Sequence, residues 1–379
     1  MKRNKFCILS LTTLLLLNAV VTEESANEFH VTSNLQSDPH PEIYGNVVVW
    51  INNDNIWGYD VSTRETFQIS ESNSVIDGPA IYENVVIWIE ICEGDYCIHG
   101  RDLSTWNKLY VTMTTNCIFS PTIHGNTVFW IEDINDSLGI YGYNLITEEK
   151  FTVTKEGEVS ITPKGPVAYD SIVVWQDYRA GNPDVYGYDF STSTEFQIRT
   201  SSYGEGDPMI YKNVVVYDTD KNGNGDIYGY DLSTKKEFQI TSDPSDQYYP
   251  AIYGDIVVWW DERNTYERQE VVWRKENFDI YGYDLSTGRE FPITTAQNDQ
   301  VHPSIYGNIV VWTDYRNCYE KKIGSIIIKT NADIYGCIIQ EKTKKTEKIE
   351  ENDGFCSGTV FILLLIIFSE KRKKSCKSK

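Results

Sequence analysis

Seven copies of one short pattern fill the middle of this 379-residue chain, and a repeat of that size leaves few folds open. The first half of each copy reads Ile-Tyr-Gly-(Asn/Asp)-apolar-Val-Val-Trp. Its closing aromatic falls at Trp50, Trp88, Trp130, Trp175, Tyr217, Trp259 and Trp312, at spacings of 38, 42, 45, 42, 42 and 53 residues. The second half reads Asp-Ile-Tyr-Gly-Tyr-Asp-Leu-Ser-Thr, clearest at Asp226–Thr234 and Asp279–Thr287, with degenerate copies from Asn55, Cys97, Gly139, Asp184 and Asp333. A third element, Glu-Phe-Gln-Ile-Thr, follows, as at Glu237–Thr241. Each copy thus holds four short β-prone runs, separated by Asn/Asp-Gly, Ser-Thr and Pro clusters and without a sustained helical period.

Four strands in about 42 residues is the size of a propeller blade. The Val-Val-Trp runs are apolar on both faces, as a sheet sandwiched between two others requires. The 26 Tyr and 10 Trp favour strands over helices. The expected fold class is all-β, a seven-bladed β-propeller of four-stranded blades over residues 28–340. Glu28–Thr32 matches the fourth-strand element, yet it precedes the first complete copy. The seventh copy runs from Ile334-Tyr335-Gly336 into the Lys/Glu-rich stretch 341–353. The N-terminal strand is therefore expected to close the last blade, which removes an exposed sheet edge. The Gly of Tyr-Gly-Tyr is expected to let an aromatic of the next blade approach the backbone.

The ends read as targeting segments rather than fold. Residues 1–22 hold Lys2, Arg3 and Lys5 before an apolar run to Val21, the pattern of a secretory signal peptide. Residues 341–354 read as a charged stalk. Residues 355–379 carry an apolar stretch ending at Phe368 and the basic tail Lys371-Arg372-Lys373-Lys374. That pairing reads as a C-terminal membrane anchor or a processed sorting signal, with the tail inside and the repeats outside. The ends carry +3 and +5 of the formal charge, so the segment between them carries −29 of the total −21. Such an acidic ectodomain excludes a nucleic-acid binder and favours cations. Export permits disulfides, with Cys92–Cys97 and Cys318–Cys337 as candidate hairpin staples and Cys117 left over. The lack of a C-x-x-C pair and of a His at zinc spacing argues against a metal–thiolate site.

The repeat strings resemble the β-propeller repeats of methanogen cell-surface proteins and, more loosely, those of the TolB C-terminal domain. The resemblance covers about residues 28–340 and implies a propeller at the envelope. It implies no reaction.

The strongest chemical motif is Asp218-Thr-Asp220-Lys-Asn222-Gly-Asn224-Gly-Asp226. Calcium takes six to eight oxygens from a tight loop with a Gly at its turn, so Asp218, Asp220, Asn222, Asn224 and Asp226 are candidate ligands for a structural Ca²⁺. Gly229 at the twelfth position rejects an EF-hand. The connection after the Trp slot is lengthened in copies six and seven, at about 260–278 and 313–332. These insertions hold Tyr266, Arg268, Trp273, Arg274, Tyr315, Arg316 and Tyr319. Long aromatic and Arg-rich loops on a rigid scaffold are candidate binding loops. The pairs Asp177/Arg179, Asp261/Arg263 and Asp314/Arg316 recur with the blade and read as repeated salt bridges rather than a ligand ring. His40 and His302 precede the innermost strands of copies one and seven, near the channel mouth. No G-x-S-x-G, P-loop or H-E-x-x-H is present, so an enzyme is not expected. The function expected is a surface-anchored module that binds or scaffolds an envelope glycan or a surface protein. The alternatives are a polysaccharide-acting enzyme with carboxylates at the channel mouth and a purely structural coat component.

Overall fold

The computed structural model describes residues 27–35, 39–154, 165–267, 275–323 and 326–340. The signal peptide, stalk and anchor expected from the sequence lie outside these residues. Among the described residues no helix is long and apolar enough to cross a membrane.

Residues 27–340 form a seven-bladed β-propeller. Each blade is a four-stranded antiparallel meander. Blade one comprises Glu42–Tyr44, Val47–Asn52, Asn55–Asp60 and Glu65–Gln68. Blades two to five repeat that order from first strands Val75–Tyr82, Ile118–His124, Val167–Tyr169 and Glu205–Tyr211. Blade six inserts the hairpin Tyr266–Glu267/Lys275–Glu276 between its second strand, Ile256–Asp261, and its third, Asp279–Asp284. Blade seven inserts Tyr319–Ile323/Ile326–Thr330 at the same point, between Ile309–Asp314 and Ala332–Ile338. The N-terminal strand Asn27–Leu35 is its fourth strand, pairing antiparallel with Ala332–Ile338 as the sequence predicts.

The apolar second strands explain how the ring coheres. Val48 and Trp50 of blade one pack against Ile309, Val311 and Ile334 of blade seven. Val49, one residue on and facing the other way, joins Val86 and Trp88 of blade two. A strand alternates its faces, so a run apolar on both sides feeds two inter-blade cores. Trp50, Trp130, Trp175, Trp259 and Trp312 are among the largest fully buried side chains. The indole nitrogens of Trp88, Trp130, Trp175, Trp259 and Trp312 each donate to a carboxylate two residues on, at 2.8–3.2 Å.

The glycine of Tyr-Gly-Tyr serves a different neighbour from the one expected. A Cβ on Gly229 would meet the Phe238 ring at 2.3 Å, and one on Gly142 would meet Phe151 at 2.3 Å. Phe238 and Phe151 are the cross-strand partners of these glycines in the same blade, on the outer strand. In blade seven the ring over Gly336 is Phe29, from the closing strand. The outer strand's aromatic therefore lies over its own blade's bare backbone, not the next blade's. Gly229→Ala is expected to cost about 1–3 kcal/mol through overpacking. Chemical denaturation should show a smaller cost in a Phe238→Leu background, since blade two carries Leu109 at this place.

The Asp-x-Ser-Thr strings close the outer turns. Asp231 Oδ1 accepts from Ser233 N at 2.8 Å and Thr234 N at 3.0 Å, and the pattern repeats at Asp60, Asp102 and Asp284. The side chain thus mimics a backbone turn.

One buried acid departs from the repeat. Glu205 occupies the place held by Gln247 in blade six and Gln300 in blade seven. It is 1% exposed, and its Oε2 has no hydrogen-bond partner among the described residues. Burial pushes its carboxyl up to about 7, Asp184 adds to the rise, and Ser201 and Arg199 oppose it. A raised carboxyl favours the folded state below its ordinary range, and that contribution is lost as pH rises through about 7. Glu205→Gln is expected to raise stability at about pH 8 by ~1–3 kcal/mol and to have little effect at about pH 4. Thermal melts across that range would show the difference closing as the pH falls.

Candidate functional site

Strand direction sorts the chain's features onto two faces. Each first strand runs down the channel wall from its Pro to a Tyr or His, and a tight turn then starts the second strand. The second strand ends beside the start of the first, as in the pairs Gln300↔Asp314 and Tyr306↔Ile309. The connections between second and third strands therefore leave from the face where the first strands begin. The two inserted hairpins and the Asp218–Asp226 loop belong to that face.

The narrow end of the channel is a ring of seven aromatic side chains, one per blade. Tyr44, Tyr82, His124, Tyr169, Tyr211, Tyr253 and Tyr306 each touch the next, with centroids 4.3–5.0 Å apart, and the ring closes from Tyr306 to Tyr44. These are the Tyr slot of Ile-Tyr-Gly, with His in blade three. Burial holds His124 below the usual imidazole range, against the pull of Asp170, and so favours its neutral form.

The opposite, wide mouth is built by a local conflict in the backbone. Each first strand is preceded or interrupted by a residue followed by Pro: His40, Gly78, Ser120, Gly165, Asp207, Tyr249 and His302. A residue before Pro prefers extended backbone. All seven nevertheless have positive φ, from 41° at His40 to 96° at Gly78. In blades two, three, five, six and seven the pairing register shifts here, as between Val301 and Ser304. A bulge re-aims a side chain, and this one recurs around the mouth. Gly165 is required as glycine, because a Cβ there would lie 2.3 Å from that of Ser120.

The mouth has two unlike sides. On the side of blades six, seven and one, the His40 and His302 rings stack at 3.7 Å. Tyr249 stands edge-on to His302 at 5.6 Å, and Trp260 backs both at 4.6 and 5.5 Å. On the side of blades two and three the wall is polar and small. Asp77 accepts from Gly78 N at 2.8 Å and from Ser120 N of the next blade at 2.7 Å, tying the two bulges together. Below lies a cavity of about 1020 Å³ that reaches the aromatic ring. The sequence reading placed His40 and His302 near the mouth, and the structure stacks them. It gave no sign of Tyr249, Ser120 or Asp77, although the x-Pro step at each blade start was there to be followed.

The expected calcium loop is tied to protein partners. Asp218 and Asp220 line a second cavity of about 360 Å³ with Gln176 and Tyr248, and Asp220 accepts from Gly204 N at 2.9 Å. The Asn222 amide nitrogen donates to Asp226 at 2.8 Å and to the Tyr228 hydroxyl at 2.9 Å. Asn264 and Asn317 make the same two contacts in blades six and seven, so this Asn is part of the repeat. The Asn224 amide donates to the Asp243 and Ser245 carbonyls. Asp226 also accepts from Thr241 and Gln239. An ion bound by all five residues would require both amides to turn.

Among the expected loop residues, Arg268, Trp273 and Arg274 lie outside the described residues. Tyr266 and Tyr319 each begin a strand of an inserted hairpin. Tyr315 is half-buried against the core between blades seven and one. Arg316 is committed to the fold. Its guanidinium grips Asp314 at 2.7–2.9 Å, meets Glu28 of the closing strand at 3.0 Å and lies 4.0 Å from the Tyr335 ring centre. Arg179 and Arg263 do the same with Asp177 and Asp261, so these pairs are the repeated salt bridges expected.

No family model matches the chain, and no curated protein does. Solved structures do. The chain is similar to an oligogalacturonate lyase from Vibrio parahaemolyticus at 10% identity and a TM-score of 0.59, over 83% of this chain and 94% of that one. It is similar to the β-propeller domain of the Trilobed protease from Pyrococcus furiosus at 13% identity and a TM-score of 0.53, over 75% and 90%. The likeness to TolB from Acinetobacter baumannii is looser, at 15% identity and a TM-score of 0.47, over 73% of this chain and 66% of that one. At these identities the likeness to the lyase and to the protease domain is one of fold alone, and the chain's work must be read from its own residues.

Proposed function

We propose that this protein is a recognition module that holds an envelope glycan at the wide mouth of its channel, displayed at the cell surface by its C-terminal segment. The observation that carries this reading is the two-sided mouth. An aromatic side of His40, Tyr249 and His302 faces a polar side of Asp77 and Ser120 above a cavity of about 1020 Å³. Sugars present apolar C–H faces and polar hydroxyl edges, and such a mouth offers a partner to each. The formal charge of −29 on the segment between the ends favours a neutral or basic glycan over an acidic one. The inserted hairpins of blades six and seven leave the ring on the same face.

Binding rather than turnover is the reading, because Asp77, the carboxylate that joins the bulges of blades two and three, is already engaged. Both oxygens of Asp77 accept backbone N–H groups, which leaves it poorly placed as a general acid. Tyr249→Ala and His302→Ala are each expected to weaken binding to purified envelope polysaccharide by at least tenfold, with the fold retained by near-UV circular dichroism. Undiminished binding by both variants would remove the mouth from consideration.

A further inference from the structure

Blade two breaks the repeat at three positions on one face, and the three breaks meet. In blades three to seven the third strand places a Tyr beside the Trp slot, as in Trp175↔Tyr186 and Trp312↔Tyr335. Blade two has Trp88↔His99. Two residues further along each strand of the same hairpin come Glu90 and Cys97, which are directly opposed, and then Cys92 at the tip. Side chains alternate along a strand, so Glu90, Cys92, Cys97 and His99 share one face.

Their ligand atoms converge. Cys92 Sγ, Cys97 Sγ and one nitrogen of His99 all lie within 4.8 Å of one another, the one such grouping among the described residues. Cys92 Sγ is 3.7 Å from His99 Nε2. Ligand atoms at the corners of a zinc tetrahedron are about 3.5–3.8 Å apart, given Zn–S near 2.3 Å and Zn–N near 2.0 Å. The imidazole is already oriented. Its Nδ1 meets Glu90 Oε1 at 2.5 Å, which puts the ring proton on that side and turns the Nε2 lone pair to the sulfurs. Glu90 is fixed in turn by Trp88 Nε1 at 2.9 Å and by the Ser72 hydroxyl. In blades three, four, six and seven the equivalent carboxylate is matched by Lys150, Arg179, Arg263 and Arg316. In blade two the histidine takes that cation's place and leaves its far side to a ligand.

The register also weighs against the disulfide that the sequence suggested. Cys92 is opposite Asp95, and Cys97 is opposite Glu90, so the cysteines are diagonal neighbours. Diagonal pairs stand about 7–8 Å apart, with their Cβ atoms somewhat closer, whereas disulfide-linked residues have Cα atoms about 4.4–6.8 Å apart. Both cysteines are free thiols here. A metal between the sulfurs spans the longer gap without moving the backbone.

We propose that Cys92, Cys97 and His99 form a zinc site on blade two, with Glu90 as the positioning residue for His99 and the fourth coordination place open to solvent. Two thiolates and an imidazole suit zinc, a borderline-soft cation. Cys97 is buried and Cys92 and His99 are half-buried, so an ion would sit in the blade yet remain reachable. This proposal departs from the sequence reading, which argued against a metal–thiolate site. The spacing Cys-x4-Cys-x-His is no zinc template along the chain, but a hairpin folds it onto one face.

The test is metal uptake by the full-length protein, reduced, stripped with chelator, and titrated with Zn²⁺ and with Co²⁺ as a spectroscopic stand-in. One equivalent should bind, with a thiolate-to-cobalt charge-transfer band. His99→Tyr installs the residue of the other blades and should fold; it and Cys97→Ser should each abolish that equivalent and its band. Glu90→Gln should weaken zinc affinity about 10–100-fold. Uptake by His99→Tyr equal to that of the parent, or reduced parent protein without the charge-transfer band, would overturn the site.

Discussion

Deletion of residues 27–35 is expected to abolish cooperative folding of the whole ring. That strand precedes blade one in the sequence but pairs within blade seven, so it joins the two ends of the propeller. It pairs Phe29 with Gly336 and His30 with Tyr335, and it brings Glu28 to 3.0 Å from Arg316. Val31 and Leu35 are 7% and 1% exposed, in the core shared by blades seven and one. Burying those two side chains alone contributes about 3–6 kcal/mol. Domains of this kind are stable by only about 5–15 kcal/mol in total. Loss of the strand also bares the Gly336 backbone and opens an unpaired edge along Ala332–Ile338, a template for aggregation. Denaturant unfolding of the truncated protein should lose its sigmoidal transition. An unchanged midpoint would mean that blade seven closes without it.

The second large effect belongs to the buried carboxylates. Asp314 is fully buried and accepts four hydrogen bonds: from Trp312 Nε1 at 2.8 Å, and from Arg316 N, Nε and Nη2 at 2.7–2.9 Å. Asp314→Ala is expected to cost about 3–5 kcal/mol, because it removes the buried partner of a partly buried guanidinium and leaves it only Glu28. Blade one shows which loss matters. There Asn52 stands where the acid would be, and the Trp50 indole nitrogen has no partner among the described residues. An orphaned indole is thus tolerated in this fold. The larger part of the cost at Asp314 is Arg316 left with only the more exposed Glu28 as its carboxylate partner, so Asp314→Ala/Arg316→Met should recover much of the stability. A double-mutant cycle in denaturant would show the coupling. Additive losses would count against it.

The fold was legible because the repeat is long and its slots are chemically distinct. Seven buried aromatics at blade spacing and a stray fourth strand at Glu28–Thr32 left little choice of topology. The inner ring was legible too, since Tyr44 to Tyr306 are a single slot of Ile-Tyr-Gly, but that slot has to be followed around the circle rather than along the chain. The glycine reading named the right cause and the wrong neighbour. Alternation along a strand does not reveal whether a bare backbone is covered by its own sheet or by the next. The mouth was less legible, because its side chains are aimed by a left-handed residue before Pro, the reverse of that step's ordinary preference. Blade two's cysteines and histidine were hidden for a related reason. Zinc patterns are read along the chain, whereas a hairpin juxtaposes residues across it. For the Asp218–Asp226 loop the composition suits calcium, but the repeat supplies Asn222 with protein partners that spacing alone does not show.

Incubating the full-length protein with purified envelope polysaccharide, and following retained polymer and newly formed chain ends together, tests the proposed role most directly. Saturable binding that Tyr249→Ala abolishes, with the polymer's length unchanged, is the result a recognition module predicts. A steady appearance of new ends, or no retention of the polymer by the parent protein, would contradict it.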